Sequence, residues 1–191
     1  MALRPTLVIF VKEPRPGRVK TRLGAGIGLV PAAWWFRHQS RSLLRRIRDR
    51  KWDIVLSVSP DTSVSGREWP QNLPRMAQGT GDIGQRMSRA FQNLGRGPIV
   101  LIGGDIPGVN PLHIQKAFEE LKRSDIVFGP ANDGGFWLVG MRQVRCPQNL
   151  FQNVRWSTEF ALSDTLANIP EAKVGFVDTM SDVDTAADLL Q

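Results

Sequence analysis

The sequence predicts an α/β protein in which a mostly parallel sheet lies between two layers of helices. Short apolar, β-branched runs alternate along the chain with segments whose apolar residues recur every three or four positions. The first run, residues 7–11, is apolar throughout, as expected for a strand buried on both faces. Such alternation is typical of parallel sheets covered by helices. A length of 191 residues with 41% hydrophobic and 23% charged residues suits one domain spanning residues 1–191.

Six strands are predicted from short apolar runs bounded by turn-forming residues. They are residues 7–11, 54–58, 99–103, 126–128, 136–139 and 174–177. Residues 59–75 are rich in Ser, Pro and Gly and predict a surface loop. Ligands of open α/β sheets bind beyond the carboxyl ends of the strands. We therefore expect functional residues in segments 12–23, 59–62, 104–110 and 129–135.

Five helices are predicted from apolar spacing and capping signals. Pro31 opens the first, Asn110 and Pro111 open the third, and Ser157 or Thr158 caps the fourth. Their apolar faces are, in order, Phe36, Ser40, Leu43, Leu44 and Ile47; Ile83, Met87, Ala90, Phe91 and Leu94; Ile114, Ala117, Phe118 and Leu121; Leu162, Leu166 and Ile169; and Val183, Ala186, Ala187 and Leu190. Residues 24–28, Gly-Ala-Gly-Ile-Gly, predict a loop.

Composition and motif spacing exclude several classes of protein. The single cysteine, Cys146, precludes an intramolecular disulfide and is expected to be inert. His38 and His113 have no zinc-site spacing around them. No apolar run approaches the roughly 18 residues that span a bilayer, and the amino terminus lacks a signal-peptide pattern. We therefore expect a cytoplasmic protein without a membrane span.

The positive charge is concentrated in the first quarter of the chain. Residues 1–51 hold 13 Lys and Arg against two acids, a net charge of +11, whereas residues 52–191 hold 12 against 16, a net charge of −4. This asymmetry indicates an anionic ligand near the amino terminus. The arginines at 41, 45, 46, 48 and 50 are better explained as the solvated face of a helix. No nucleic-acid motif is present, so no nucleic-acid partner is expected.

The segment that follows the first predicted strand has the composition of a phosphate-binding loop. Residues 12–22 contain five cations, stiffened by two prolines and hinged by Gly17. Arg forks, Lys ammonium groups and exposed backbone N–H groups all bind phosphate. The segment has neither the Walker A spacing nor the G-x-G-x-x-G fingerprint. A solvated basic turn is the alternative reading.

Two further segments carry candidate carboxylates. Asp105 follows Gly103 and Gly104 directly after a predicted strand, where a carboxylate can hold Mg²⁺ or else cap a turn. Asp133 precedes Gly134 and Gly135, and this Asp-Gly-Gly sequence is equally typical of a tight hairpin. In the functional reading Asp133 is a second metal ligand or a general base, and the two glycines make room for a substrate.

Three other features are open to two readings. Gly81 and Asp82 precede a predicted helix, where they either border a ligand or, through Asp82 and Gln85, cap that helix. Asp182 and Asp184 either stabilise the start of the last helix or contact a metal or substrate. Trp137 and Trp156 adjoin the candidate segments and are otherwise expected in the core.

Six motifs occur in an order that is more specific than any one of them. They are FVKEPRPGRVKTRL, QGTGDIGQRM, IGGDIPGVNP, GPANDGGFWLVG, VRWST and DVDTAADL. Together they resemble the small bacterial GT-A-like glycosyltransferases of the nucleotide-diphospho-sugar transferase superfamily. The basic loop is also similar to that of the 2-phospho-lactate guanylyltransferases. The resemblance implies a three-layer α/β/α domain that binds a nucleotide together with Mg²⁺ or Mn²⁺.

The resemblance also implies roles for individual residues. Lys12, Arg18, Lys20 and Arg22 would contact phosphates, with Gly17 and Gly104 beside them. Gly81 and Asp82 would border the base and ribose. Asp105 would hold the metal, and Asp133 would lie near the acceptor with Gly134, Gly135, Trp137 and Trp156.

The implied reaction is the metal-assisted transfer of a sugar from a nucleoside-diphosphate sugar to a small-molecule acceptor. The alternative is nucleotidyl transfer from a nucleoside triphosphate to a phosphorylated small molecule, with release of pyrophosphate.

Overall fold

The computed structural model describes residues 4–94, 97–142, 147–181 and 183–190, and both Cys146 and Asp182 lie outside these ranges. The strands are β1 (Thr6–Lys12), β2 (Asp53–Ser59), β3 (Arg75–Ala77), β4 (Ile99–Gly103), β5 (Ile126–Pro130), β6 (Phe136–Met141) and β7 (Val174–Phe176). The α-helices are α1 (Thr21–Ile27), α2 (Leu29–Arg46), α3 (Ile83–Leu94), α4 (Pro111–Glu120) and α5 (Ala161–Ala167). Short 3₁₀ helices cover Asp61–Ser63 and Ala187–Leu190.

The seven strands form one sheet in the order β3-β2-β1-β4-β6-β5-β7. Neighbours are parallel except that β6 runs antiparallel to both β4 and β5. The carboxyl ends of β1, β2, β4 and β5 therefore meet at one edge of the sheet. The predicted mostly parallel sheet is confirmed, and this edge is where the candidate segments 12–23, 104–110 and 129–135 begin.

Helices cover both faces of the sheet, because successive strand residues point to opposite sides. In β1, Leu7, Ile9 and Val11 belong to a core cluster shared with α2 and α4. Val8 belongs to a second cluster, which is shared with α3 and into which α5 packs. The predicted three-layer α/β/α architecture is confirmed.

Helix α1 is the main departure from the predicted elements, since residues 24–28 were expected to form a loop. Glycine is a poor helix former, but here two glycines allow close packing. A Cβ on Gly24 would lie 2.8 Å from a methyl carbon of Leu29, and one on Gly26 would lie 2.8 Å from the Cβ of Ala186. Tertiary contact with α2 and the carboxyl-terminal segment therefore overrides local propensity.

The carboxyl-terminal helix was also predicted wrongly. The Asp188 carboxylate accepts hydrogen bonds from the backbone N–H groups of Asp184 and Thr185, and these bonds close a turn where the helix was predicted to start. Only a 3₁₀ turn follows. Helix α5 is likewise shorter than predicted: it begins at Ala161 without a side-chain cap and ends before Ile169.

The segment 59–75 is less open than a plain surface loop. It contains the 3₁₀ turn Asp61–Ser63, and Trp69 is buried within it. The short strand β3, which the sequence did not predict, follows directly and extends the sheet beyond β2. None of the helices in the described ranges has the length and apolarity that crossing a bilayer requires.

Candidate active site

A cavity of about 580 Å³ opens at the edge of the sheet where β1, β4 and β5 end. Nine of the predicted site residues line it: Lys12, Arg18, Lys20, Arg22, Asp105, Asp133, Gly135, Trp137 and Trp156. Five do not: Gly17, Gly81, Asp82, Gly104 and Gly134. The structure therefore brings residues from four separate segments, up to 144 positions apart in the chain, around one hollow.

The loop after β1 supplies the positive charge of the cavity. Lys12 ends the strand, and Arg18, Lys20 and Arg22 follow as the chain turns into α1. Glu13 anchors the turn: its carboxylate accepts hydrogen bonds from the Ser63 hydroxyl at 2.9 Å and from Arg15 Nε at 2.7 Å. These two contacts hold Glu13 against the 3₁₀ turn Asp61–Ser63 and against Arg15 in its own loop.

Lys20 lies at the centre of the charged cluster. Its Nζ is 2.8 Å from Asp105 Oδ2 and 3.2 Å from Asp184 Oδ1. The Lys20 side chain is only 9% exposed. Arg22 Nη1 lies 3.6 Å from the other oxygen of Asp184. Because both carboxylates contact one nitrogen, those two oxygens are no more than 6.0 Å apart.

Asp105 is positioned by the close approach of β4 to β1. A Cβ on Gly104 would lie 2.7 Å from the carbonyl oxygen of Phe10 and 2.8 Å from Val11 Cγ1. Only glycine fits between these strands without displacement, so Gly104 places the following carboxylate rather than lining the cavity. This differs from the direct nucleotide contact that the resemblance implies for Gly104.

Asp133 belongs to a hairpin and to the cavity at once. It lies in the turn between the antiparallel strands β5 and β6, where its Oδ1 accepts a hydrogen bond from Gly135 N at 2.9 Å. Gly134 has a φ of +83°, and its Cβ would clash with the backbone of Glu159. Gly134 therefore serves the turn and the packing of the segment before α5, whereas Asp133 and Gly135 face the hollow.

The segment before α3 caps that helix. Asp82 Oδ1 accepts a hydrogen bond from Gln85 N at 2.8 Å, and Gln85 Oε1 accepts one from Asp82 N at 3.1 Å. This reciprocal pair is a capping box. Of the two readings of Asp82, the structure shows the cap. The neighbouring Gln78, buried and bonded to the carbonyls of Val11 and Ser57, does line the cavity.

The two tryptophans form an aromatic wall. Trp137 is largely buried, and its Nε1 donates to the carbonyl of Asp178 at 2.9 Å. Trp156 packs its ring near Phe136 and Phe151, and its buried Nε1 has no hydrogen-bond partner within the described ranges. Ser157 and Thr158, which the sequence suggested only as caps, also reach the cavity.

The oxygen donors around Lys20 fit a hard divalent cation. Mg²⁺ and Mn²⁺ prefer carboxylate and phosphate oxygens, and Mg²⁺ is often held by one or two carboxylates plus substrate phosphates. Asp105 and Asp184 supply two such carboxylates. Within the described ranges, no group of three or more His, Cys, Asp or Glu side chains is placed to hold a metal ion by itself, and this includes the surroundings of Lys20.

Asp184 is the site residue for which the sequence gave no decisive signal.

The sheet order and the cavity define an α/β fold of the nucleotide-diphospho-sugar transferase type. Residues 43–158 match the family described as "Uncharacterized protein conserved in bacteria (DUF2064)", and the chain belongs to this family. A comparison with curated proteins found no significant match.

Solved structures share this fold. A protein from Desulfovibrio desulfuricans G20, provisionally named a nucleotide-diphospho-sugar transferase, is 32% identical with a TM-score of 0.87 over 99% of this chain and 85% of that one. Rv0371c from Mycobacterium tuberculosis H37Rv, solved with manganese, is 16% identical with a TM-score of 0.56, covering 100% and 97%. A CMP:2-keto-3-deoxy-manno-octonic acid synthetase complexed with CTP is 12% identical with a TM-score of 0.59, covering 98% and 96%. The resemblance inferred from the ordered motifs is confirmed.

Proposed function

We propose that this protein is an enzyme that transfers a sugar from a nucleoside-diphosphate sugar to a small-molecule acceptor, assisted by Mg²⁺ or Mn²⁺. One observation carries the proposal: four cations of the first loop share a single cavity with the carboxylates of Asp105 and Asp184. The 32% identical relative named as a nucleotide-diphospho-sugar transferase supports the same class of reaction.

The chemical task of such an enzyme is to stabilise the leaving diphosphate. When the bond between the sugar carbon and the diphosphate oxygen breaks, negative charge develops on the diphosphate. Preorganised cations beside that oxygen lower the barrier, because they need no reorganisation during the reaction. Lys12, Arg18 and Arg22 line the cavity where this charge would develop, and Lys20 lies between the two carboxylates.

The carboxylates have separate tasks in this proposal. Asp105 and Asp184 would hold the divalent cation, which when bound supplies charge neutralisation to the diphosphate. Asp133 would accept the proton of the acceptor hydroxyl, as a general base. Its Oδ1 is engaged by the N–H of Gly135, which leaves Oδ2 as the proton acceptor. Gly135, Trp137 and Trp156 would form the acceptor side of the cavity.

Replacing Asp105 by Asn tests the proposal directly. We expect release of nucleoside diphosphate from a nucleotide sugar to fall at least 100-fold, since loss of a group that stabilises transition-state charge typically costs about 10²–10³ in rate. The melting temperature should change little, because the Lys20 ammonium keeps the Asp184 carboxylate as a partner. Asp53→Asn is the matched control, because Asp53 is a half-exposed aspartate paired with Arg4 far from the cavity. An Asp105→Asn enzyme with wild-type turnover would contradict the proposal.

Nucleotidyl transfer is the second candidate. Four lining cations, Lys12, Arg18, Lys20 and Arg22, provide enough positive charge for a triphosphate, and a fold relative was solved with CTP. The products separate the two reactions. A nucleotidyltransferase incubated with a nucleoside triphosphate, Mg²⁺ and a phosphorylated acceptor would release pyrophosphate. A glycosyltransferase incubated with a nucleotide sugar and an acceptor would release a nucleoside diphosphate.

A further inference from the structure

Lys20 already occupies the position that the proposed function gives to a divalent cation. Its ammonium nitrogen contacts Asp105 at 2.8 Å and Asp184 at 3.2 Å, and little of the side chain is exposed. A divalent cation held by Asp105 and Asp184 would need these same carboxylate oxygens. The ammonium group and the cation cannot both be accommodated beside them, because two positive charges so close together repel.

We propose that Lys20 makes divalent-cation binding depend on the phosphates of the nucleotide. This inference rests on the proposed function, which assigns the cation to Asp105 and Asp184. Without a nucleotide, the Lys20 ammonium neutralises the two carboxylates and competes with the cation. When a nucleotide binds, the Lys20 ammonium donates hydrogen bonds to its phosphates instead. The carboxylates of Asp105 and Asp184 are then free to bind the divalent cation.

The cost of moving Lys20 explains why the phosphates are required. The side chain is only 9% exposed, and a charge left in such a place without a partner is strongly unfavourable. A phosphate oxygen offers the ammonium a charge-assisted hydrogen bond of the same kind. The cation and the nucleotide therefore favour each other's binding, and linkage makes that effect equal in both directions.

The backbone at Lys20 is independent support for a use of this side chain. Lys20 has φ 45° and ψ 50°, in the left-handed region where glycine is favoured over any residue with a Cβ. It precedes α1 without capping that helix through its side chain. Backbone strain of this kind concentrates at functional sites. The same feature makes Lys20→Gly a variant that removes the ammonium and relieves the strain.

The first experiment measures Mn²⁺ binding to nucleotide-free protein by electron paramagnetic resonance. Lys20→Gly and Lys20→Met should bind Mn²⁺ at least tenfold more tightly than wild type, whereas Lys20→Arg, which keeps the positive charge, should stay near wild type. Lys116→Met is the matched control, because Lys116 forms a 2.7 Å ion pair with Asp178 outside the cavity. Its Mn²⁺ affinity should equal that of wild type.

The second experiment measures binding of inorganic pyrophosphate by calorimetry in metal-free buffer containing a chelator. Lys20→Gly and Lys20→Met should bind pyrophosphate at least tenfold more weakly than wild type, with Lys116→Met unchanged. Each of these substitutions should therefore raise the affinity for Mn²⁺ and lower the affinity for pyrophosphate. Structural damage would weaken both, so the opposite signs distinguish the proposed role from a merely structural one.

Three results would overturn the inference. They are Mn²⁺ binding that is unchanged or weaker in both variants, pyrophosphate binding that does not depend on Lys20, and the absence of Mn²⁺ binding in every variant. Neither measurement uses a nucleotide sugar or records turnover. If sugar transfer is absent and the two affinities still move in opposite directions, the proposed function fails while the role of Lys20 stands.

Discussion

The ion pair between Arg155 and Asp164 fixes the residue that precedes Trp156 in the cavity wall. Arg155 donates from its backbone N and its Nε to Asp164 Oδ2, at 3.0 and 2.9 Å, and from Nη2 to Oδ1 at 2.7 Å. These hydrogen bonds, those of the side chain first and that of the backbone second, lower the pKa of Asp164 to about 2. The cavity wall is thereby tied to α5.

This pair predicts a pH dependence of stability. The pKa of Asp164 in the folded protein is about 2, below the roughly 3.9 of an unfolded aspartate. The carboxylate therefore stabilises the fold fully above about pH 4, and that contribution is lost as the pH falls toward 2. We expect Asp164→Asn to melt at a lower temperature than wild type at pH 7, with a gap that narrows between pH 5 and pH 2 in circular-dichroism melts.

Glu159→Gln is the control for this pH series. The Glu159 side chain makes no ion pair or hydrogen bond within the described ranges, so this variant should reproduce the wild-type curve. A gap between Asp164→Asn and wild type that stays constant down to pH 2 would show that the ion pair does not produce the low pKa.

Some residues of the candidate site could be predicted from the local sequence, and others could not. Lys12 and Asp105 directly follow apolar runs, and strand ends in a parallel sheet define where ligands bind. Asp184 reaches Lys20 across 164 positions, and nothing near Asp184 indicates that contact. Asp82 is not among the residues that line the cavity, and its carboxylate forms the capping box with Gln85 that the Asp-x-x-Gln spacing also predicted.

The secondary-structure elements that were predicted well are those whose own residues, or the residues next to them, carry the apolar pattern or capping residue that identifies them. Strand β4 is a continuous apolar run, and α4 is capped by Asn110, whose side chain accepts hydrogen bonds from the N–H groups of Leu112 and His113. Helix α1 contains two glycines and forms only because α2 and Ala186 pack against them. Strand β3 has three residues, too few to show a period.

Gly84 lies where α3 packs closely against Trp156 and Phe151. An exposed Gly→Ala change inside a helix stabilises by about 1 kcal/mol. Here a Cβ would lie 2.6 Å from Trp156 Cζ2 and 2.7 Å from Phe151 Cβ. We expect Gly84→Ala to destabilise the protein by about 1–3 kcal/mol in urea unfolding, because overpacking outweighs helix propensity.

Gln92→Ala on the same helix is the matched control, since Gln92 is exposed and should change stability by no more than about 0.5 kcal/mol. Gly84→Ala should also disturb ligand binding, because the ring that it displaces lines the cavity. A Gly84→Ala protein more stable than wild type would mean that Trp156 and Phe151 move aside without cost.

For the whole molecule, the sheet joins the two larger hydrophobic clusters into one body. Residues Leu7, Ile9 and Val11 of β1 face the cluster beneath α2 and α4, while Val8 of the same strand faces the cluster beneath α3. If the helices on one face of the sheet unfolded, β1 would lose its packing on that side, and the cluster on the other face depends on the same strand. The cavity lies at the end of this shared strand, so its cations depend on both layers.

We therefore expect residues 1–191 to unfold as one domain. Differential scanning calorimetry should give a single transition whose calorimetric and van't Hoff enthalpies agree. Typical values per residue predict an enthalpy of about 130 kcal/mol near 60 °C. Asp105→Asn should shift this transition little, and Gly84→Ala should lower its midpoint without splitting it. Two resolved transitions, or a van't Hoff enthalpy clearly below the calorimetric value, would mean that the faces of the sheet unfold separately and that β1 does not couple them.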